Sequence, residues 1–309
     1  MFGESKIGSL PSRLAQIMAD AYAFSGEFRE RYPTSDPEPD SQAFQEMHNN
    51  GISGPVGPWK PSDVYQAYSL AVGILTPAAG QYLCALSQLY QEPMALYGFQ
   101  VVARALAEAA AQSWWLLVPD ISVEVRMARV FTQRWTNIEE LRKADVIVGA
   151  DPADATARMI KLRAEAAELG VEEQFSKPKD PSRQPEFLGF KSGMSQGSTQ
   201  LVRQYFEALG SPVGELWYRG MSAICHGTAW GLLQYFESAP TSNPTRARLT
   251  PALMPEAVVQ VAVWAVEFYL GAIQYHAALF GWDAEAVAAR RKSDRMAMLG
   301  MLGSQGRST

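Results

Sequence analysis

The residues best suited to chemistry lie together in one apolar stretch, Trp217 to Thr228. Arg219 and His226 are seven residues apart. On an α-helix, which turns about 100° per residue, they project from nearly one line, about 10 Å apart along the axis. Tyr218 and Ser222 lead to His226 in steps of four and share that edge. The stretch therefore predicts a guanidinium, an imidazole, a hydroxyl and a phenol on one side of a helix.

These groups are able to take part in chemistry. An imidazole titrates near neutral pH and moves protons, and a guanidinium binds anions. The alternative is a buried polar cluster, in which Glu108 or Glu215 neutralises the arginine and His226 is a core histidine. The residues alone leave both interpretations open.

A second polar row lies upstream, in the apolar run from Met94 to Val118. Its members follow one another in steps of four and are Gln100, Arg104, Glu108 and Gln112. Arg104 and Glu108 form either an ordinary intrahelical ion pair or part of the wall of an internal polar pocket. The spacing does not decide between these two interpretations.

Several familiar catalytic and metal-binding patterns do not occur in the sequence. It contains no Gly-rich phosphate loop, no His-Glu-x-x-His, no Cys-x-x-Cys and no Gly-x-Ser-x-Gly. Only three histidines occur, His48, His226 and His276. We therefore expect neither a metal site nor a bound cofactor. Cys225 precedes His226, and adjacent side chains on a helix point apart, so we expect Cys225 to be a small buried side chain.

Composition indicates a globular protein that works inside the cell. The chain has 309 residues, 47% of them hydrophobic, and its net charge of −5 argues against a broad electrostatic grip on nucleic acid. Any contact with RNA must therefore be local. Two cysteines and an amino terminus without a sustained apolar segment favour a reducing, cytoplasmic setting. Met94–Val118 and Ala257–Phe280 are apolar runs interrupted by polar residues, and we expect core helices there rather than membrane spans.

The hydrophobic periodicity predicts an all-α protein, a multi-helix bundle with a long Pro/Gly/Ser-rich loop in the middle. No stretch alternates with the period of a strand. We expect the centre of the bundle to consist of helices at Met94–Val118, Ser211–Glu237 and Pro255–Phe280. Thr76-Pro77 predicts a break between two helical pieces.

We divide the chain into five segments. They are an N-terminal helix and Pro/Gly-rich loop region (1–61), the first half of the bundle (62–170), a flexible loop (171–198), the second half with Arg219 and His226 (199–302), and a disordered tail (303–309). Asp151 to Leu169 has the clearest helix signals, because an aspartate cap and a proline precede it and a glycine follows it. The 171–198 loop is the candidate for a lid or a domain divider.

The Arg219-x6-His226 pair resembles the Arg-x4–6-His signature of HEPN domains, which are all-α modules of many prokaryotic toxins and phage-defence proteins. The resemblance implies a metal-independent endoribonuclease. His226 would handle the proton of the attacking 2′-hydroxyl or of the leaving oxygen, and Arg219 would hold the scissile phosphate. The resemblance further implies a homodimer that joins two such helices, RNA bound at a local site and, for a toxin, a cognate inhibitor protein.

The wider pattern is also similar to uncharacterised helical proteins of actinobacteria. It consists of Tyr218-Arg219, Ser222 and His226-Gly227, preceded upstream by Arg104-x3-Glu108 and Trp114-Trp115. That second resemblance implies no particular function.

Two other functions fit the same residues. One is a non-enzymatic helical scaffold or regulatory protein, in which the polar rows Gln100–Gln112 and Tyr218–His226 face one another and fix the register of their helices. The other is a small-ligand sensor, with an apolar pocket lined by tryptophans and tyrosines and an anion bound by Arg104 or Arg219.

Overall fold

The protein is all-α, as its periodicity predicts. A computed structural model describes residues 10–33, 36–48, 61–91, 97–175, 187–191, 193, 197–211, 214–228, 236–240, 247–251 and 254–305. The expected Pro/Gly-rich loop at 49–60 and the last residues of the expected tail, 306–309, lie outside the described residues. The tail itself begins later than expected, because the final helix continues to Gln305.

The helices are α1 (Leu10–Arg31), α2 (Gln42–His48), α3 (Pro61–Leu70), a π-helical turn (Ala71–Leu75), α4 (Thr76–Leu89), α5 (Gly98–Leu117), α6 (Val123–Ile147), α7 (Ala153–Glu168), α8 (Ser198–Ala208), α9 (Gly214–Cys225), α10 (Pro255–Phe280) and α11 (Ala284–Gln305). Ser122 caps α6 by accepting a hydrogen bond from the backbone N–H of Val125, and the aspartate cap expected for α7 forms between Asp151 and the N–H of Ala153.

Four short strands in the described part of the chain correct the expectation that the chain contains none. They are β1 (Glu173–Phe175), β2 (Phe187–Phe190), β3 (Phe236–Pro240) and β4 (Ala247–Pro251), and they form two antiparallel pairs, β1 with β2 and β3 with β4. Strands of three to five residues are too short for a period of two to stand out from the surrounding sequence. The expected loop at 171–198 therefore contains one strand pair.

The core surrounds α10, which is buried on nearly all sides and packs against α1, α4, α5 and α11. α5 packs on α10 with one side and contacts α8 and α9 with another. The prediction of a central helix at Pro255–Phe280 is confirmed by α10. The one at Met94–Val118 is confirmed by α5 from Gly98 to Leu117, and residues 94–96 lie outside the described residues. Pro255 begins α10, and Gly281, at φ +74°, ends it in the left-handed conformation.

The third expected central helix, Ser211–Glu237, is wrong in length. α9 ends at Cys225, and the backbone N–H of His226 still donates to the Ser222 carbonyl at 3.0 Å. Gly227 then adopts φ +62°, a left-handed conformation in which glycine commonly terminates a helix. β3 occupies the end of the range that the sequence assigned to this helix.

The helix break expected near Thr76-Pro77 is a π-turn immediately before it. The N–H of Thr76 bonds to the carbonyl of Ala71, five residues earlier, and the Thr76 hydroxyl also donates to this carbonyl at 3.1 Å. Pro77 has no N–H with which to continue the regular ladder. The wider turn thus accommodates the proline without a break in the helical rod from α3 to α4.

Two helical segments of the described chain are long and apolar enough to cross a membrane by length and composition, Asp63–Leu89 and Pro255–Phe280. In Pro255–Phe280, which is α10, 78% of the most apolar 18-residue stretch is buried within the protein, as expected of a core helix. In Asp63–Leu89 only 39% of the corresponding 18-residue stretch is buried. The sequence analysis did not identify Asp63–Leu89 as a possible membrane span.

Candidate groove on helix α9

Helix α9 turns a mixed face toward the surface. Tyr218, Met221 and Ile224 are buried against the body of the protein, whereas Arg219 and His226 are exposed. Tyr218, Met221 and Ile224 are spaced three residues apart, so they lie on the same side of the helix and are buried together. The edge predicted from the sequence is thus divided, because its phenol points inward and its guanidinium and imidazole remain accessible.

A groove of about 630 Å³ lies beside this edge. Its lining comes from α5, from the beginning of α8 and from α9, and consists of Arg104, Gly197, Ser198, Thr199, Leu216, Tyr218, Arg219, Ser222, Ala223 and His226. The five sequence-predicted residues Arg104, Tyr218, Arg219, Ser222 and His226 therefore meet at one groove. Glu108, the sixth, is not part of the lining and instead bonds to two residues that are.

Glu108 joins α5 to α9 beneath the groove. The Tyr218 hydroxyl donates to Glu108 Oε1 at 2.5 Å, and Arg104 Nε lies 3.0 Å from the same oxygen. The Arg104 guanidinium also lies over the Tyr218 ring, 5.5 Å from its centroid. Arg104 and Glu108 thus form the intrahelical ion pair, and Arg104 also lines a groove, which is open to the surface and not the internal pocket considered from the sequence.

The Tyr218 phenol serves here as a hydrogen-bond donor. Burial, and then the hydrogen bond to Glu108, raise the pKa of Tyr218 above its usual value. The hydroxyl therefore keeps its proton at neutral pH and donates it in a hydrogen bond to the Glu108 carboxylate. That arrangement fixes the Glu108 side chain and, through it, the position of Arg104 at the groove.

Arg219 lies at the surface, with 64% of its side chain exposed. Its Nη2 and Nε atoms lie 2.7 and 2.8 Å from Glu215 Oε1, one helical turn away. The other oxygen of Glu215 lies 3.8 Å from Arg203 Nη1 on α8. Glu215 is thus the carboxylate that neutralises Arg219, but the pair is not buried as the cluster interpretation required.

His226 is exposed at the end of α9 and is not a core histidine. Within the described part of the chain, its main-chain N–H is bonded to Ser222, and no hydrogen bond or ion pair fixes its ring. The imidazole is therefore accessible from the groove. Its neighbour Cys225 is a free, half-buried thiol rather than the fully buried side chain expected.

The start of α8 is the part of the groove that sequence reasoning missed. Gly197 is the N-cap of α8 and offers no side chain to bond the first backbone N–H groups of the helix, and the first turn contains no acidic residue. Ser198 and Thr199 add hydroxyls to the lining. The sequence signal was the Gly-Ser-Thr run at the start of a predicted helix, where Gly197 and Ser198 were assigned to the preceding loop and Thr199 to the helix.

The groove combines two arginines, an imidazole and several hydroxyls, which are groups that bind anions and transfer protons. Among the residues that the structure describes, no group of three or more histidine, cysteine, aspartate or glutamate side chains could hold a metal ion. No family model, curated protein or solved structure matches the chain.

Proposed function

We propose that this groove binds a phosphodiester of RNA and cleaves it without a metal ion, as a HEPN-like ribonuclease. The observation that supports the proposal is the position of Arg219, Ser222 and His226 along one side of an open groove that also contains Arg104. A guanidinium and an accessible imidazole on one helix edge are the two groups that such a cleavage requires.

The two arginines would have different tasks. Arg219 is held by Glu215 in an exposed i,i+4 pair, and such pairs contribute only about 0.3 to 0.5 kcal/mol. A phosphate can therefore displace Glu215 at small cost. Arg104 is fixed by Glu108 and by the Tyr218 ring, so it would offer a positive charge that is already positioned.

In the proposed reaction, His226 takes the proton of the 2′-hydroxyl while that oxygen attacks the adjacent phosphorus. The bond from phosphorus to the 5′ oxygen breaks, and the departing oxygen acquires a proton from solvent. Arg219 stabilises the negative charge that develops on the phosphoryl oxygens. The products are a 2′,3′-cyclic phosphate and a 5′-hydroxyl, and His226 afterwards returns its proton to solvent.

The test compares wild-type protein with His226→Ala and Arg219→Ala on a mixed RNA pool in the presence of EDTA. We expect wild-type protein to produce cyclic phosphate ends and either substitution to lower the cleavage rate about 100-fold or more. DNA of the same sequences should stay intact because it has no 2′-hydroxyl. Thermal melting of each variant separates loss of activity from loss of folding.

Two matched controls lie elsewhere on the surface. His48→Ala removes another exposed histidine, and Arg158→Ala removes another exposed arginine with an i,i+4 acidic partner, Asp154. Both variants should cleave like the wild-type protein. If wild-type protein leaves RNA intact, or if the control substitutions reduce cleavage as much as the groove substitutions do, the ribonuclease proposal fails.

The contacts beneath the groove support a second candidate function, a helical scaffold. The Arg104–Glu108–Tyr218 cluster joins α5 to α9, and such a polar contact would fix the register of the two helices. A scaffold would show no cleavage, no loss of stability on changing Arg219 or His226, and a marked loss on changing Tyr218. The cleavage assay therefore distinguishes the two functions, because the loss of stability on changing Tyr218 is expected of both.

A further inference from the structure

The helical rod from α3 through the π-turn to α4 is free of charge over nearly its whole length. Between Val64 and Gln91 the sequence contains no aspartate, glutamate, lysine or arginine. Most of the rod's most apolar 18-residue stretch nevertheless lies outside the core, since only 39% of that stretch is buried. An uncharged helix with this much exposed surface contrasts with α10, the buried helix of similar composition.

The exposed side of this rod is a continuous strip. We name it the neutral face and define it by the exposed residues Tyr65, Gln66, Gly73, Ile74, Gln81, Tyr82 and Gln88. Ile74 is at its middle, with 61% of the residue exposed. A side chain built on Gly73 would meet no atom within 4 Å, so the surface there is open.

The π-turn aligns the two ends of the neutral face. Around a regular α-helix, Tyr65 and Gln88 would point about 140° apart. One additional residue in the π-turn reduces that angle to about 40°. Because of the π-turn, residues on α3 and α4 present one surface instead of opposite sides of the rod.

We propose that a second copy of this chain covers the neutral face. In a two-fold symmetric contact each surface meets itself, so any charge near the axis would oppose an identical charge. A face without charges avoids that repulsion, and interface cores are depleted in charged residues and enriched in tyrosine. The absence of charge therefore removes an electrostatic obstacle to self-association of this surface.

The size of the face is compatible with the same occupant. A rod of 27 residues is about 40 Å long and roughly 10 Å wide, so its outer side presents about 400 Å². A stable interface buries roughly 800 Å² on each partner. The neutral face would thus supply about half of one dimer contact, and surface beside it would have to supply the rest.

A lipid surface fits the neutral face less well. The nearest charges in the sequence are Asp63 before it and Glu92 after it, and acidic flanks repel anionic headgroups. Membrane-bound helices carry lysine and arginine beside large apolar side chains. This strip instead carries glutamines and tyrosines around one isoleucine.

The experiment is sedimentation velocity on the full chain over a range of micromolar concentrations. We expect wild-type protein to dimerise and Ile74→Glu to weaken the dimer at least about tenfold, because a two-fold contact would place two glutamates together. Ile147→Glu is the matched control, since Ile147 is 83% exposed on α6 and lies off the neutral face. That control should dimerise like the wild-type protein, and both variants should keep the wild-type melting temperature.

Three results would overturn the proposal. Wild-type protein could sediment as a monomer throughout, or Ile147→Glu could disrupt the dimer while Ile74→Glu does not. Flotation with vesicles of mixed neutral and anionic phospholipid could also show wild-type binding that Ile74→Glu abolishes, which would assign the face to a membrane.

This dimer is independent of the proposed ribonuclease activity and differs from the contact between α9 helices that the family resemblance implies. Leu216→Glu, which changes an exposed leucine of α9, distinguishes the two contacts. It should leave the neutral-face dimer intact. Loss of the dimer in this variant, with Ile74→Glu still dimeric, would favour the α9 contact and refute ours.

Discussion

The hydroxyl of Tyr218 donates a 2.5 Å hydrogen bond to Glu108, although the two residues are 110 positions apart in the sequence. The bond joins α9 to α5 directly beneath the candidate groove. A hydrogen bond to a charged acceptor contributes about 1.5 to 3 kcal/mol. This contact therefore couples the stability of the fold to the geometry of the groove.

Tyr218→Phe should lower the free energy of unfolding by about 1.5 to 3 kcal/mol, because it leaves the part-buried Glu108 carboxylate without its phenol donor. Denaturant unfolding measures the change. Tyr275→Phe is the control, since Tyr275 donates to the neutral backbone carbonyl of Ala208 at 3.0 Å and should cost about 1 kcal/mol or less. Equal losses for the two variants would show that Glu108 is not a special acceptor.

Arg126→Ala should be far more harmful than a change to an exposed arginine. The Arg126 side chain is fully buried, with Nε 2.9 Å from Glu46 Oε2, and it also donates to the carbonyl of Leu116. Removing one partner of a buried pair typically costs about 3 to 5 kcal/mol. Arg134→Ala removes the pair with Glu165, in which both side chains are 40% exposed, and should cost under about 1 kcal/mol. Thermal and denaturant unfolding of both variants would reveal the difference.

His276 should make the protein sensitive to acid. Burial, and then the positive charge of Arg29, lower the pKa of His276 to about 3 in the folded protein. Below its ordinary pKa of about 6.5 the unfolded chain binds a proton that the folded chain does not, so stability falls as the pH decreases from about 6.5 toward 3.

The stability lost through His276 between pH 6.5 and 5 is on the order of 2 kcal/mol. His276→Leu removes this proton while keeping an apolar contact with the rings of Phe280 and Trp282. As the pH decreases across this range, the free energy of unfolding of the wild-type protein should therefore fall relative to that of His276→Leu. Parallel pH profiles would contradict the assignment.

Gly281→Ala should destabilise the fold for two reasons. Gly281 has φ +74°, and an added Cβ would lie 2.9 Å from the Cβ atoms of Glu38 and Ser41. Gly149→Ala provides the comparison, because Gly149 has φ +72° but nothing within 4 Å of an added Cβ. The Gly149 variant should lose about 1 to 2 kcal/mol from backbone strain alone, and the Gly281 variant clearly more. Denaturant unfolding measures both, and equal losses would show that packing at Gly281 relaxes freely.

Much of the fold follows from local signals in the sequence. Apolar composition and periodicity predicted α5, and start and stop residues in addition marked α7 and α10. The end of α9 was missed because the residues after Gly227 are apolar and continue a helical pattern, while the glycine itself adopts the left-handed conformation that ends the helix. The strands were missed because they are short.

The candidate site was predictable only in part. Spacing on one helix brought Arg219, Ser222 and His226 together, because that geometry is local. The contact between Tyr218 and Glu108 and the position of Ser198 at the groove depend on how α5, α8 and α9 pack, which no local pattern encodes. The sequence correctly offered Glu215 as one of two possible partners of Arg219. It did not predict that this pair is exposed.

The position of α10 in the chain has a consequence for biosynthesis. This helix is the centre of the core and spans residues 255–280. α1, α4 and α5 are therefore synthesised well before the helix against which they pack. A nascent chain emerging from the ribosome exposes these apolar faces until α10 has followed them, so the core forms only after that helix is synthesised.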